Sequence, residues 1–204
     1  MNYIFLDNGF EEIEAITTID LLRRANIALT TVSVTGDILV TGAHAISVKA
    51  DKLFGDLTFE DAEMLILPGG ATNLIDSKPL CDLLIQHNND NKLIAAICAA
   101  PAVLGQLGIL DGKQATCYPG FENHLAESHV GGLVVESHNI ITAKGPGLSN
   151  IVFQSFDQLF HRGQIAHGPE HILLLTHRVD DIVDALLDDD HIGTVGGHLV
   201  GKAV

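Results

Sequence analysis

This 204-residue chain has few basic residues, few cysteines and no long apolar run. Eleven lysines and arginines stand against 26 aspartates and glutamates, which gives a formal net charge of −15. A chain this acidic is repelled by nucleic acid and by anionic membranes, so neither is expected as a partner. No apolar segment approaches the roughly 18 residues that a membrane-spanning helix needs. The N-terminus also lacks the basic start and apolar core of a signal peptide.

The three cysteines are too few and too irregularly spaced for a disulfide framework, which favours free thiols in a reducing compartment. We therefore expect a cytoplasmic protein. Apolar residues make up 47% of the chain and charged residues 18%, as in a well-packed globular protein. Residues 1–160 contain no repeat, low-complexity tract or obvious linker, and we expect them to form one domain.

Short apolar segments alternate with helical segments along these 160 residues. The β-α-β order is typical of a parallel sheet with helices on both faces. The sequence therefore predicts an α/β fold with a flavodoxin-like, doubly wound, mostly parallel sheet between helices. Strands are predicted at 3–6, 27–34, 64–67, 93–97 and 115–117, hairpins at 38–48 and 132–142, and helices at 11–24, 79–87 and 151–160.

A cysteine stands at the end of one of these apolar segments. The segment 93–97 leads directly into Cys98, and small residues follow before helical spacing resumes. This pattern predicts a nucleophile elbow, a sharp strand-to-helix turn that raises a side chain above the carboxyl end of the sheet. Unpaired N–H groups at the start of the next helix favour a thiolate, so we expect a lowered pKa for Cys98. Simple packing is the alternative, because free cysteines are commonly buried.

The chain changes character after residue 160. Residues 161–204 hold six of the eleven histidines, an acidic segment at 179–190 with helical spacing, and a glycine-rich end. We interpret this part as a helical C-terminal extension that docks on the first domain. The histidines lack metal-binding spacing within a credible helix, so we expect scattered surface residues and no metal site.

Five motifs together resemble the DJ-1/ThiJ branch of the DJ-1/PfpI superfamily. They occur in the family's order and at close to its spacing, over residues 1 to about 160, whereas the later segment does not resemble the usual family C-terminus. The motifs read GFEEIE at 9–14, RRA at 23–25, LPGG at 67–70, AAICAAP at 95–101 and GPG at 145–147.

The resemblance implies roles for individual residues. It makes Cys98 a nucleophilic, oxidation-sensitive thiol and Glu14 the carboxyl group that hydrogen-bonds its sulfur. A thiolate requires this carboxyl group to be protonated, because two like charges would otherwise share a desolvated site. Gly70 and Ala99 match the backbone N–H donors of an oxyanion hole. Taken singly, the glutamate could be a helix cap and the glycine a tight turn. Two further matches, Arg24 and His44, belong to the family's anion-binding rim.

Two positions depart from the family patterns. Ala99 stands where the PfpI-type branch has a histidine after the nucleophile, so no cysteine–histidine pair is encoded there. Tyr118 stands where many DJ-1-branch proteins have a histidine before a proline, and His124 is displaced along the chain from that place. An acid–base imidazole contributes roughly 10²- to 10⁴-fold in rate. Glu14 would therefore have to move protons alone, or with Tyr118 or water.

Three functions stay open at this point. The resemblance implies a cofactor-free enzyme of the glyoxalase or deglycase type, in which Cys98 attacks a 2-oxoaldehyde such as methylglyoxal, or a glycated protein. It also implies an oxidative-stress sensor or chaperone, whose thiol stops at sulfenic or sulfinic acid. The third is a non-catalytic domain that binds a partner through residues 161–204. We favour the enzyme.

The resemblance further implies a homodimer. The first helix carries the apolar residues Ile13, Ile16 and Ile19. In a two-fold interface this face would pack on its own copy. The same residues could instead face the sheet.

Overall fold

A seven-stranded sheet forms the centre of the computed structural model, which describes residues 1–70 and 72–146. Its strands are β1 (Asn2–Leu6), β2 (Leu29–Ser33), β5 (Lys52–Leu53), β6 (Met64–Leu67), β7 (Leu93–Ile97), β8 (Val134–Ser137) and β9 (Ile140–Ala143), while β3 (Leu39–Thr41) and β4 (Ser47–Lys49) form a separate antiparallel pair. The order in the sheet is β5-β2-β1-β6-β7-β9-β8, and every pair is parallel except β8 with β9. The predicted architecture is confirmed.

Three α-helices accompany the sheet in the described residues: α1 (Glu12–Arg24), α2 (Lys78–Asn89) and α3 (Pro101–Gln106). The first begins where the sequence suggests, because the Glu11 side chain accepts a hydrogen bond of 2.8 Å from the N–H of Glu14. This bond satisfies one of the N–H groups left unpaired at a helix start. None of the described helices combines the length and the apolar character needed to cross a membrane.

Strand β1 shows how the sheet is buried on both faces. All five of its residues are buried. Ile4 and Leu6 belong to a core cluster that includes residues of α1, whereas Tyr3 and Phe5 belong to a second cluster with residues of α2 and α3. Successive side chains of a strand point to opposite faces, so a sheet covered on both sides requires an uninterrupted apolar run.

The strand order reverses beside β1. The chain proceeds from β1 to β2 on one side and returns through β6 on the other. In open parallel sheets, ligands bind at such a switch point, outside the carboxyl ends of the strands. The segments that leave β1, β6 and β7 there are the start of α1, residues 68–70 and the turn at Cys98.

One predicted strand is wrong, and one strand was missed. Residues 115–117 form only an isolated bridge, between Ala115 and His129. The place beside β7 is taken by β9, and the N–H of Thr116 instead donates to the hydroxyl of Thr142 at 2.9 Å. The two-residue β5 has too little sequence pattern to be recognised. The predicted helix at 151–160 and the proposed extension at 161–204 lie outside the described residues.

Candidate functional site

Cys98 sits on a strained turn directly after β7. Its φ is 64°, a left-handed value that costs a residue with a side chain about 1–2 kcal/mol. Two backbone hydrogen bonds of 2.8 Å hold the turn: the N–H of Cys98 donates to the carbonyl of Ala143, and its carbonyl accepts from the N–H of Tyr118. The elbow predicted from the sequence is therefore present, with the thiol at the carboxyl end of the sheet.

Glu14 reaches the same point from the first turn of α1. The carboxyl group is fully buried, and its Oε2 accepts a hydrogen bond of 2.7 Å from the N–H of Gly69. A Cβ placed on Gly69 would overlap Oε2 and would lie 2.6 Å from the Cβ and 3.1 Å from the Sγ of Cys98. Gly69 thus packs against both the carboxyl group and the thiol, with no space for a side chain. Sequence reasoning missed this residue, although the PGG motif contains it.

Gly70 and Ala99, which the resemblance assigns to an oxyanion hole, supply backbone donors to the sulfur of Cys98. Hydrogen bonds from both N–H groups favour the thiolate of Cys98 and lower its pKa. Gly70 has a φ of 94° and forms an isolated bridge with Phe10. A Cβ there would lie 2.5 Å from the N of Glu11, so the close approach of the two loops requires glycine.

The prediction of a lowered thiol pKa is wrong. The pKa of Cys98 is raised to about 12, chiefly by burial and in addition by the charge of Glu14 and its hydrogen bond to the thiol. The N–H donors of Ala99 and Gly70 act in the opposite direction but are outweighed. The sequence pattern showed the turn and the helix start, but it could not show how much the site is desolvated.

Glu14 is the group of the pair that titrates near neutral pH. Burial raises the pKa of Glu14 to about 7, against the opposing hydrogen bonds from Cys98 and Gly69. Near neutral pH a protonated carboxyl group is therefore accessible. With the proton on Glu14, the charge that opposes a thiolate disappears and the carboxyl O–H can donate to the sulfur. The pair then holds one negative charge in total.

The structure places Tyr118 beside the elbow through its backbone. Its side chain is 45% exposed, and its ring lies 3.3 Å from the position that a Cβ on Gly145 would take.

His124 ends a short 3₁₀ turn, and its ring lies near that of Phe121 with centroids 6.4 Å apart. Within the described part of the chain, His124 forms no hydrogen bond with the sulfur of Cys98.

Arg24 is not brought to the site. It belongs to the last turn of α1 and pairs with Asp20 at 2.6 Å on an exposed surface. Ten helical residues separate it from Glu14, which corresponds to about 15 Å along the axis at about 1.5 Å per residue. Of the two rim residues expected from the sequence, only His44 lies near the start of α1.

His44 binds the buried carboxylate of Glu12. Its backbone N–H donates to Oε1 at 2.6 Å, and its Nδ1 lies 2.8 Å from Oε2. Burial by itself raises the pKa of Glu12, but the hydrogen bonds from His44 and Ile46 outweigh it and hold this pKa below the usual range. The hydrogen bond and the charge of Glu12 in turn raise the pKa of His44.

Glu11, Glu12 and His44 also form a group with the chemistry of metal ligands. One ligand atom from each lies within 4.8 Å of the others. The oxygens of Glu12 already bind His44, and Glu11 caps the N–H of Glu14. These contacts explain the cluster as the hydrogen-bonded start of α1, packed against the β3–β4 hairpin.

A model of the DJ-1/PfpI family matches residues 2–154. The chain belongs to the DJ-1/PfpI family. Among its relatives, the protein DJ-1 homolog B of Arabidopsis thaliana is 39% identical over 146 residues, which are 69% of this chain and 33% of that protein. The chain thus spans about a third of this relative's length. The protein dj-1beta of Drosophila melanogaster is 33% identical over 150 residues, or 71% of this chain and 80% of that protein.

Solved DJ-1 structures share the fold. The oxidized DJ-1 of Toxoplasma gondii superposes with a TM-score of 0.75 at 35% identity, over 80% of this chain and 92% of that one. The DJ-1 of Schizosaccharomyces pombe gives a TM-score of 0.73 at 23% identity, over 87% of this chain and 97% of that one. At that identity the second likeness shows the fold alone. The DJ-1/ThiJ resemblance is confirmed.

Proposed function

We propose that this DJ-1/PfpI-family chain converts 2-oxoaldehydes such as methylglyoxal to 2-hydroxy acids, using its own residues and water. The observation that carries the proposal is the buried pair of Cys98 and Glu14, which are hydrogen-bonded to each other and both packed against Gly69. The pair combines a nucleophile with a carboxyl group that can hold or release a proton near neutral pH. Early glycation products of proteins would enter through the same first adduct, which is the deglycase form of the proposal.

The reaction begins when Glu14 takes the proton of Cys98 and the sulfur attacks the aldehyde carbon. A C–S bond forms, and the carbonyl electron pair moves to the oxygen, which accepts hydrogen bonds from the N–H groups of Gly70 and Ala99. Protonation of this oxygen gives a hemithioacetal. Glu14 then removes the proton from the former aldehyde carbon and returns it to the neighbouring carbon. The hydroxyl proton of the first carbon passes to the oxygen of the second, and the product is a thioester of the 2-hydroxy acid. Water attacks the thioester, the C–S bond breaks and the thiol is regenerated, so the net change is the addition of one water.

Within residues 1–70 and 72–146 no imidazole is hydrogen-bonded to the thiol or to Glu14, so Glu14 carries the proton transfers in this proposal. Ala99 and Tyr118 stand at the two positions where the family resemblance implies histidine in one branch or the other. A group transfers protons best when its pKa lies near the working pH, and the raised pKa of Glu14 meets that condition.

The test is lactate formation from methylglyoxal by the purified chain. We expect saturable activity in the wild type, and its loss in Cys98→Ser and in Glu14→Ala. Cys81→Ser is the matched control, because Cys81 is also buried but lies on α2, with its sulfur 3.3 Å from the carbonyl of Ile75. Wild-type conversion no faster than that of a free thiol in buffer would refute the proposal.

Oxidation of Cys98 is the second candidate function, and two observations favour it. It needs no imidazole, and one of the similar solved structures is a DJ-1 in oxidized form. A protonated Glu14 can donate to a sulfinate oxygen, which would halt oxidation at that stage. All three thiols are buried, but graded peroxide followed by peptide mass spectrometry should oxidise Cys98 before Cys81 and Cys117, because Glu14 is hydrogen-bonded to its sulfur. Equal reactivity of the three thiols would count against a sensor.

A homodimer and a cytoplasmic location are also part of the proposal. Ile13 and Ile16 are 57% and 39% exposed on α1, whereas Ile19 packs partly against the core. The first two therefore give the helix an uncovered apolar edge that a second copy could cover. Sedimentation should show a dimer that Ile13→Glu weakens, and a wild-type monomer would contradict the assignment.

Cell fractionation tests the location, which rests on the free cysteines.

A further inference from the structure

A small cavity lies behind Glu14, between α1 and the sheet. It is lined by Glu14 and Thr18, and otherwise by apolar residues of β1, β6 and β7 and by the proline that follows β6. About 10 Å³ is open to the centre of a water molecule. One buried water needs roughly 10–15 Å³ measured in this way. The cavity therefore has the size of a single water site, beside the carboxyl group of the proposed catalytic pair.

One oxygen of Glu14 has no hydrogen-bond partner among the residues that the structure describes. Oε2 accepts from Gly69, on the side where the thiol of Cys98 also lies, whereas Oε1 is fully buried and unpaired. A buried polar atom without a partner is costly, and more so when it carries charge. Because the residue that carries this oxygen lines a water-sized cavity, the two observations together point to a bound donor.

Thr18 is placed to hold such a donor. It lies four residues after Glu14 on α1, so the two side chains share one face of the helix. Helical side chains tilt towards the N-terminus, which directs Thr18 over the turn that carries Glu14. The residue is 5% exposed, and its hydroxyl group is a polar group in an otherwise apolar lining. A buried water needs about 2–4 polar partners, and these two residues supply two.

We propose that one buried water molecule occupies this cavity, donates a hydrogen bond to Oε1 of Glu14 and is held by the hydroxyl of Thr18. Thr18 is then a positioning residue, because it acts on Cys98 only through the water and Glu14. The inference rests on the proposed function for its catalytic meaning. The water site itself depends only on the cavity and the unpaired oxygen.

The first test is the pH dependence of Cys98 alkylation by iodoacetamide in the full chain, a readout that needs no substrate. The titratable groups acting on Glu14 are Cys98, from the turn after β7, and Glu11, from its own helix. Thr18→Val removes the hydroxyl that holds the water, with little change of shape. Without the water, Oε1 of Glu14 loses its hydrogen-bond donor, which favours the neutral form of this carboxyl group. We expect the Glu14-controlled midpoint to rise by about one pH unit, a tenfold change in its proton equilibrium. KM should stay unchanged while kcat falls.

Two variants serve as controls. Thr18→Ser keeps the hydroxyl and should restore the wild-type profile, while Thr17→Val makes the same change at the half-buried neighbouring position and should leave the profile unaltered. A Thr18→Val profile that superimposes on the wild type overturns the proposal. So does an equal shift in Thr17→Val.

A high-resolution crystal structure of the unaltered protein decides the question independently, even if Thr18→Val does not fold. We expect ordered water within about 3.2 Å of both Oε1 and the Thr18 hydroxyl. A dry cavity, or one filled by a side chain, overturns the proposal. An alkylation shift without lactate formation would refute the proposed function and leave the water site standing. Lactate formation with an unshifted alkylation profile would refute the water site and leave the proposed function standing.

Discussion

Gly69→Ala tests the geometry of the site at its narrowest point. The substituted Cβ would overlap Oε2 of Glu14 and would lie 2.6 Å from the Cβ of Cys98, where ordinary contacts are 3.4–4 Å. One of the two side chains must therefore move by about 1 Å, and a misplacement of that size costs about 10²-fold in rate. Overpacking of this kind also destabilises the fold by about 1–3 kcal/mol. The backbone itself permits alanine, since Gly69 is not among the residues with positive φ.

The assay compares lactate formation, the alkylation rate of Cys98 and urea unfolding in the same preparations. Gly55→Ala is the matched control, because a Cβ there would meet no atom within 4 Å. We expect Gly55→Ala to behave as the wild type in all three measurements. A Gly69→Ala protein with wild-type thiol reactivity and a free energy of unfolding within about 0.5 kcal/mol of the wild type would refute the packing described here.

Three further predictions concern charge and backbone strain. Burial raises the pKa of Glu14 from 4.5 to about 7, so its contribution to stability is full below pH 4.5 and is lost as the pH rises through 7. The free energy of unfolding of Glu14→Gln should therefore rise relative to that of the wild type by about 3 kcal/mol between about pH 5 and about pH 8, since one pKa unit corresponds to about 1.4 kcal/mol. A difference that stays constant with pH in denaturant titrations would contradict this. Glu12 raises the pKa of His44, whose contribution is present below about pH 6.5 and is lost as the pH rises through the raised value. His44→Gln should lower the melting temperature more at about pH 6 than at about pH 9, and the reverse order would exclude a charged pair. Because Cys98 has a φ of 64°, Cys98→Gly should be about 1 kcal/mol more stable than Cys98→Ala in urea unfolding, and equal stabilities would argue against the strained turn.

The sheet could be predicted from the sequence because both of its faces are covered. Strands such as β1 and β6 are then continuous apolar runs, bounded by turn residues that mark their ends. Residues 115–117 carry a similar local pattern but do not form a strand, because β9 occupies the position beside β7. Competition for a place in a sheet is a property of the whole chain, so a local pattern cannot show it.

The positions of some site residues could be predicted because these residues directly follow predicted strands. Cys98, Gly70 and Ala99 stand at the ends of strands, and the resemblance to the DJ-1/PfpI family added Glu14 to them. The direction of the thiol pKa was not predictable, because it depends on burial and on a carboxyl group that comes from a distant segment. Gly69 was missed for a related reason, since its importance is a contact between three segments that the sequence alone does not bring together.

The most direct test of the proposed chemistry is the number of lactate molecules formed per chain from methylglyoxal, before and after peroxide treatment. A sulfinic acid at Cys98 cannot attack an aldehyde, so the account predicts many turnovers by the reduced wild type and none once Cys98 is oxidised. Less than one lactate per reduced chain would contradict the account. Turnover that survives oxidation of Cys98 would contradict it as well.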